Sequence, residues 1–347
     1  MSADPALSSL SAAHDPQNGG SLRHGVFLTW ERHQRTRSLV ARLGLRLREV
    51  VVAGPRHRRY WGQIAGTLRH LRHDKPPLVF MQNPSIVLSV LVLCWRALTR
   101  AKCVIVMDAH NEAVEPMIFS WKIVRIVAAW AVRTSDFTMV TNRFLAEKVL
   151  QQRGRPLILP DPVPDVAPAR AQPLGPDEPL RVLVVATYAS DEPIAQILEA
   201  ARAVSEQIEF QLTGNFRKLP AHVIEAAPPN VKFLGFLEES DYWERMRNAH
   251  AVLDFTLLED CLVCGAYEAV AVGRPMLLSD TRALKDYFRM GALYSAADPG
   301  AIATAVRQLR AEYPQLSVQI GALRSLLQTE WAAQAAAVVA KLSDDRA

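Results

Sequence analysis

Eight prolines fall within the 24 residues from Pro156 to Pro179. No regular element tolerates that density, because each proline removes an amide donor and clashes with the preceding helical turn. Residues 156–180 therefore read as a linker, and each flanking half must bury a core of its own. Strand-like apolar runs alternate with helical segments on both sides. In the first half the runs are Gly25 to Trp30, Arg48 to Ala53, Pro77 to Gln82, Lys102 to Met107 and Thr134 to Thr141. In the second they are Arg181 to Ala186, Ile208 to Thr213, Val231 to Leu234 and Ala251 to Thr256. This alternation predicts an α/β chain of two Rossmann-like parallel-sheet domains facing each other across a cleft. Residues 1–22 read as a disordered leader, 23–155 as the first domain, 181–317 as the second, and 318–347 as a helical stretch packing back across both. A chain of 347 residues, half of them hydrophobic, is long enough for two such cores.

The formal charge of +5 is unevenly spread. Residues 1–165 carry 23 Lys and Arg against 12 Asp and Glu, whereas the rest carry 17 against 23. A basic half fits nucleic acid, an anionic membrane surface or acidic ligands. No Arg/aromatic motif of a nucleic-acid module is present, so nucleic acid is not an expected partner. Four cysteines, Cys94, Cys103, Cys261 and Cys264, are too few for a disulfide scaffold at this length. Cys261-x-x-Cys264 lacks two further ligands of matching spacing, so no metal is expected there. Residues 1–22 contain no apolar core segment of a secretory signal, which makes the cytoplasm the expected compartment.

The helix read from Met117 to Arg133 sets Lys122, Arg125 and Arg133 in one stripe, with Trp121 and Trp130 flanking it and an apolar remainder. Cations and tryptophans on an apolar helix fit a peripheral membrane contact, and a core helix with a thin solvated face has the same pattern. The apolar run from Ile86 to Trp95 is too short to span a bilayer and reads as a buried crossover helix. At the C-terminal ends of the first-half strands stand Trp30, Arg32 and Arg35, then Gln82 and Asn83, then Asp108, His110, Asn111 and Glu112. Open α/β sheets bind ligands at that edge. Asp108 and His110 are the candidate acceptor-side groups, with His110 as a base or hydrogen-bond donor. Capping of the next helix is the competing reading for Asp108 and Asn111.

The most informative stretch is Leu258 to Asp280. Asp260 and Glu268 stand eight residues apart, Gly265 and Ala266 lie between them, and Gly273-Arg274-Pro275 closes the segment. The order is strand, loop, short helix, strand, with Ala266 to Val272 as the helix. Amide hydrogens at a helix start hold an anion. Glu268 in the first turns then reaches hydroxyls attached to that anion, with Asp260 on the loop above. That arrangement suits a sugar joined to a nucleotide by a diphosphate; an ordinary βαβ turn with a surface Asp and Glu shares parts of the pattern.

This segment resembles the donor-site signature of retaining glycosyltransferases of the GT-B fold, in particular family four. There an acidic residue, a Gly-rich loop and a Glu eight positions on precede a small-residue helix and a Gly-x-Pro turn. Asp260 stands for the usual first Glu, and Cys264-Gly265-Ala266 for the commoner Gly-Leu-Pro. The resemblance implies that Glu268 accepts hydrogen bonds from ribose hydroxyls, that Asp260 holds hydroxyls of the donor sugar, and that the backbone of Gly265, Ala266 and Tyr267 receives the diphosphate. Gly235-Phe236-Leu237 would border the base. The phosphate-clamping Arg and Lys usual after the first strand of the second domain are absent, the loop reading Thr187-Tyr188-Ala189-Ser190-Asp191-Glu192. Arg217 and Lys218, beside Asn215, are candidate replacements, and Thr187 joins them in the expected donor site. Gln82 stands where many members carry a His.

The resemblance implies a cytoplasmic, metal-independent hexosyltransferase, peripheral on the inner membrane, using a UDP- or GDP-sugar and no other cofactor. Its acceptor would be lipid-linked, in envelope or exopolysaccharide assembly. The alternatives are a non-catalytic GT-B partner subunit of a membrane glycan-assembly complex and a sugar-nucleotide epimerase or phosphorylase on the same plan.

Overall fold

The structure is a computed structural model that describes residues 22–32, 34–83, 85–109, 114, 122–170, 173–204 and 207–345. Strands β1 (Gly25–Thr29), β2 (Arg46–Glu49), β3 (Leu78–Asn83), β4 (Val104–Ala109), β5 (Phe137–Val140) and β6 (Pro156–Ile158) form the first sheet, in the order β2-β1-β3-β4-β5-β6. All of its pairings are parallel. The second sheet holds β7 (Leu180–Val184), β8 (Ile208–Thr213), β9 (Val231–Gly235), β10 (Ala251–Asp254), β11 (Met276–Ser279) and β12 (Ala292–Ser295), ordered β12-β11-β10-β7-β8-β9 and again parallel. Val26 to Leu28, Leu78 to Met81, Val182 to Val184 and Ala251 to Leu253 are all buried, as expected of strands covered on both faces. Pro156 pairs with Thr138, so the first three residues of the proline-rich stretch close the first sheet. Proline is admissible there because β6 is an edge strand.

In the first domain α1 (Gln34–Leu43) covers one face. Helices α2 (Arg56–Asp74), α3 (Ile86–Thr99), α4 (Lys122–Thr134) and α5 (Arg143–Gln151) cover the other. Helix α2 corresponds to no segment read from the sequence. It buries only Gln63, Thr67 and Leu71. Its Gly62 and Gly66 face Val52 and Val50, where an added Cβ would stand 3.0 and 2.6 Å from a methyl carbon. Close approach through glycine replaces the apolar stripe that marks most surface helices. The second strand ends at Glu49, short of the predicted Ala53.

The second domain adds α6 (Ile194–Arg202), α7 (Ala221–Glu225), α8 (Glu239–Asn248), α9 (Cys264–Val272), α10 (Arg282–Tyr287) and α11 (Pro299–Ala311). A final helix, α12 (Tyr313–Asp344), joins the two domains. Its Ile320, Leu323 and Leu327 are buried in the second core, and its Trp331, Ala335, Val338 and Leu342 in the first. From Ile320 to Leu342 the spacing keeps one face inward for about six turns. Trp331 Nε1 donates to Pro160 O at 2.9 Å, and the Arg42 guanidinium lies 5.2 Å from its ring. The linker is thereby fastened between the helix and the first domain.

Candidate functional site

Strand order reverses twice in this molecule. Strand β1 has β2 on one side and β3 on the other, and β7 has β8 on one side and β10 on the other. A crevice opens outside the C-terminal strand ends at such switch points, because the crossover helices leave to opposite faces. The two crevices belong to edges that touch. Asn142, just after β5, caps α5 by accepting the Phe144 and Leu145 amides at 3.1 Å each. Its Nδ2 donates to Asp260 O at 2.9 Å.

On the second domain the crevice lies between the loop after β7 and the start of α9. Helix α9 begins at Cys264, two residues earlier than the predicted Ala266, so Gly265 and Ala266 belong to its first turn. Gly265 carries no Cβ for a packing reason: that atom would stand 2.6 Å from Asp254 Oδ2 and 2.8 Å from Val185 Cγ2. Its amide, expected to face phosphate, donates to Asp254 Oδ2 at 2.8 Å. Asp254 is 7 % exposed, and burial raises its pKa well above the carboxylate range despite that hydrogen bond. The Ala266 and Tyr267 side chains are buried. The N-cap residue of α9, Val263, makes no side-chain capping hydrogen bond.

Glu268 lies half-buried one turn into α9, where Tyr242 Oη of α8 donates to its Oε2. Burial lifts its pKa to about 7, and the Tyr242 hydrogen bond holds it from rising further. Asp260 has a different setting. Only 4 % exposed, it accepts Arg282 Nε at 2.6 Å and Arg282 Nη2 at 3.0 Å, and it pairs with Lys148 Nζ of α5 at 2.7 Å. Burial pushes its pKa up, but Arg282 and Lys148 outweigh that and leave it lowered. Both of its oxygens are therefore engaged by cations, one from each domain, rather than open to hydroxyls. Arg143 and Arg282 both stack on Phe144, at 4.8 and 4.6 Å, and Arg143 pairs with Asp286 at 2.8 Å.

The remaining donor-side candidates surround the same crevice. Lys218 Nζ donates to Thr187 O at 2.6 Å. Asn215 Oδ1 accepts the Arg217 amide at 3.3 Å and organises the turn that carries both cations. Gly214 is obligatory at the head of that turn: its φ is +83° and a Cβ would lie 1.9 Å from Ala186 O. Phe236 is 83 % exposed, next to Gly235, whose carbonyl accepts the Gly214 amide at 2.9 Å. Thr187 and Tyr188 turn their amides onto Glu192, at 3.0 and 2.7 Å.

On the first domain Asp108, next to last in β4, stands opposite Gln82 of β3. Asp108 is 1 % and Gln82 6 % exposed, and the Thr29 hydroxyl donates to Gln82 Oε1 across the switch point. His110, Asn111 and Glu112 lie outside the described residues, as do the side chains of Asn83 and Arg35. Trp30, read from the sequence as a ring at the cleft edge, is buried at 6 %. Its Nε1 donates to Thr67 Oγ1 at 2.9 Å, so it belongs to the core beneath α2.

Sequence reasoning missed Asp254, Tyr242, Glu192, Lys148 and Arg282. Only Asp254 carried a local signal, as a charge inside the apolar run Ala251 to Thr256. Among the described residues no group of three or more His, Cys, Asp or Glu is placed to hold a metal ion, and none of the four cysteines forms a disulfide.

Comparison with known proteins bears on the fold. A family model described as glycosyl transferase-like matches residues 192–339, a span that includes Asp260, α9 and most of α12. Sucrose-phosphate synthase from Thermosynechococcus elongatus superposes with a TM-score of 0.69 at 17 % identity, over 87 % of this chain and 83 % of that one. HepE from Anabaena, in complex with UDP and glucose, gives 0.67 at 11 % identity over 93 % and 98 %. The lipopolysaccharide outer core galactosyltransferase WaaB, in its apo form, gives 0.60 at 12 % over 90 % and 98 %. No curated protein matches the chain in sequence. The chain thus has the GT-B fold of these neighbours, and its residues 192–339 match a glycosyl transferase-like model.

Proposed function

We propose that the protein transfers a hexose from a UDP- or GDP-sugar to a lipid-linked acceptor at the membrane surface, with retention of anomeric configuration, in envelope or exopolysaccharide assembly. The observation that carries this reading is Glu268. It stands one turn into a helix at the switch point of the second sheet, within reach of the groups attached to an anion seated at that helix start. The departing nucleoside diphosphate is an anion, so the step gains most from fixed dipoles aimed at it. The dipole of α9 supplies part of this, its Gly265 amide being held by Asp254, with Lys218 on the opposite loop. HepE, a structural neighbour, was captured with UDP and glucose, which supports the donor class.

The membrane reading rests on α4. Ile123 and Ile126 are 70 % and 66 % exposed, and Trp130, Lys122, Arg125 and Arg133 are exposed beside them. Large apolar groups and cations sharing one solvent face fit the headgroup region of an anionic bilayer. The helix as described begins at Lys122, and residues 117–121 lie outside the described part. No described helix is long and apolar enough to cross a membrane. Asp108 at the end of β4, with His110 beyond it, is the proposed acceptor-side pair.

Calorimetric titration of UDP and GDP against the wild type and Glu268→Ala tests the donor reading. Loss of affinity by at least about tenfold, or 1.4 kcal/mol, is the expected result, and equal affinity removes it. A second reading, a non-catalytic partner subunit, is favoured by the absence of a cation from the Thr187 to Glu192 loop. Turnover of any UDP- or GDP-hexose with a lipid-linked acceptor decides against it.

A further inference from the structure

The loop after β7 already binds an anion, and that anion belongs to the chain. The Glu192 carboxylate accepts the Thr187 amide, at 3.0 Å from each oxygen. It also accepts the Tyr188 amide at 2.7 Å and the Thr187 hydroxyl at 2.5 Å. Two successive amides and a hydroxyl converging on one point form a concavity of the kind that holds phosphate. Tyr188 keeps its amide there by adopting φ +57°, a conformation that a residue with a side chain takes at some cost.

The loop is fixed rather than floating. Asp191 Oδ2 accepts the Thr256 hydroxyl at 2.8 Å, and Asp191 O accepts the Leu257 amide at 2.7 Å. Lys218 holds the Thr187 carbonyl from the other side. These contacts seat the loop beside the residues that follow β10, and Glu192, Asp191 and Glu268 lie near enough to act together on Asp254.

We infer that Glu192 is an intramolecular occupant of the anion seat in this crevice, which an incoming diphosphate must displace, so that Glu192 sets the affinity for anionic donors. The inference rests on the donor-site reading above. A carboxylate left beside an entering diphosphate repels it, and one still seated blocks the amides. Either way the free protein is held in a weak-binding state that a neutral ligand would not sense.

The test compares the wild type, Glu192→Ala and Glu192→Gln by calorimetric titration with UDP, GDP, inorganic pyrophosphate and uridine. Glu192→Gln keeps an acceptor for the loop amides, so it guards against collapse of the turn in the alanine variant. The expected result is a gain of about tenfold or more in UDP and pyrophosphate affinity in both variants, with uridine unchanged. Equal UDP affinity in all three proteins overturns the role of Glu192 while leaving the donor reading intact. Binding of pyrophosphate but of no nucleoside diphosphate to the variants supports the seat and overturns the donor reading. Failure of both variants to bind any of the anions overturns the seat itself.

Discussion

Asp260 and Glu268 belong to one short segment and carry the same functional group, yet the fold gives them opposite surroundings. The loop at Asp260 is a meeting point of two domains, where Lys148 and Arg282 neutralise the carboxylate and lower its pKa. Among the described residues no cation pairs with Glu268: burial raises its pKa to about 7, and one tyrosine hydroxyl holds it from rising further. A paired buried charge acts as a fastener, because removing either partner leaves the other desolvated and uncompensated. An unpaired carboxyl beside a crevice is available to a ligand. The contrast makes Asp260 a fastener between the domains and, on the donor reading proposed above, leaves Glu268 to the donor.

The widest separation between the two comes from removing the charge at each. Asp260→Asn strands Lys148 against a buried amide, and a loss of about 3 kcal/mol is expected in chemical unfolding. Since the Asp260 pKa is lowered in the fold, its contribution is present above the unfolded value near 4 and is lost as pH falls through the folded value. A variant as stable as the wild type at pH 7 would break the comparison. Glu268→Gln runs the other way. A folded pKa of about 7 lies above the unfolded value of about 4.3, so wild-type stability is greatest below the unfolded value and falls as pH rises through 7. The glutamine variant lacks that loss, and melting curves from pH 5 to 8 should open a gap in its favour of about 2 kcal/mol at pH 8.

Smaller effects sharpen the contrast. Tyr242→Phe removes the one hydrogen bond that favours ionised Glu268, so the Glu268 titration, followed by carboxyl NMR, should move upward from about 7, at a cost of about 1 kcal/mol in stability. Arg143→Ala also breaks a cross-domain pair. With Arg143 62 % and Asp286 40 % exposed, solvent screening limits the loss to about 0.5 kcal/mol or less. A larger loss there would mean that the domains are held by surface charge rather than by Asp260 and α12.

The alternation of elements was legible because parallel strands covered on both faces must be apolar throughout, as Val26 to Leu28 and Val182 to Val184 are. Helix α2 escaped because its inward face is Gln63, Thr67 and two glycines packed on valines, so no apolar period announces it. Glycine at 265 was readable as a close approach, and the groups that the packed chain brings against it are Asp254 and Val185. Trp30 was placed at the cleft by its strand position, and Thr67 of α2 draws it into the core. Tyr242 and Arg282 could not be found as partners of Glu268 and Asp260, since they are 26 and 22 residues away and no local rule links them.

The sequence by itself determined two parallel-sheet units, the proline-rich joint between them, and the placement of two carboxylates after β10, because strand burial, proline geometry and chain order are local properties. Tertiary structure alone decided which carboxylate keeps a bound cation and which stays titratable. It also decided that Glu192 rests on the amides after β7. Charge state and hydrogen bonding depend on what other elements bring within a few ångströms, and that is a property of the packed chain.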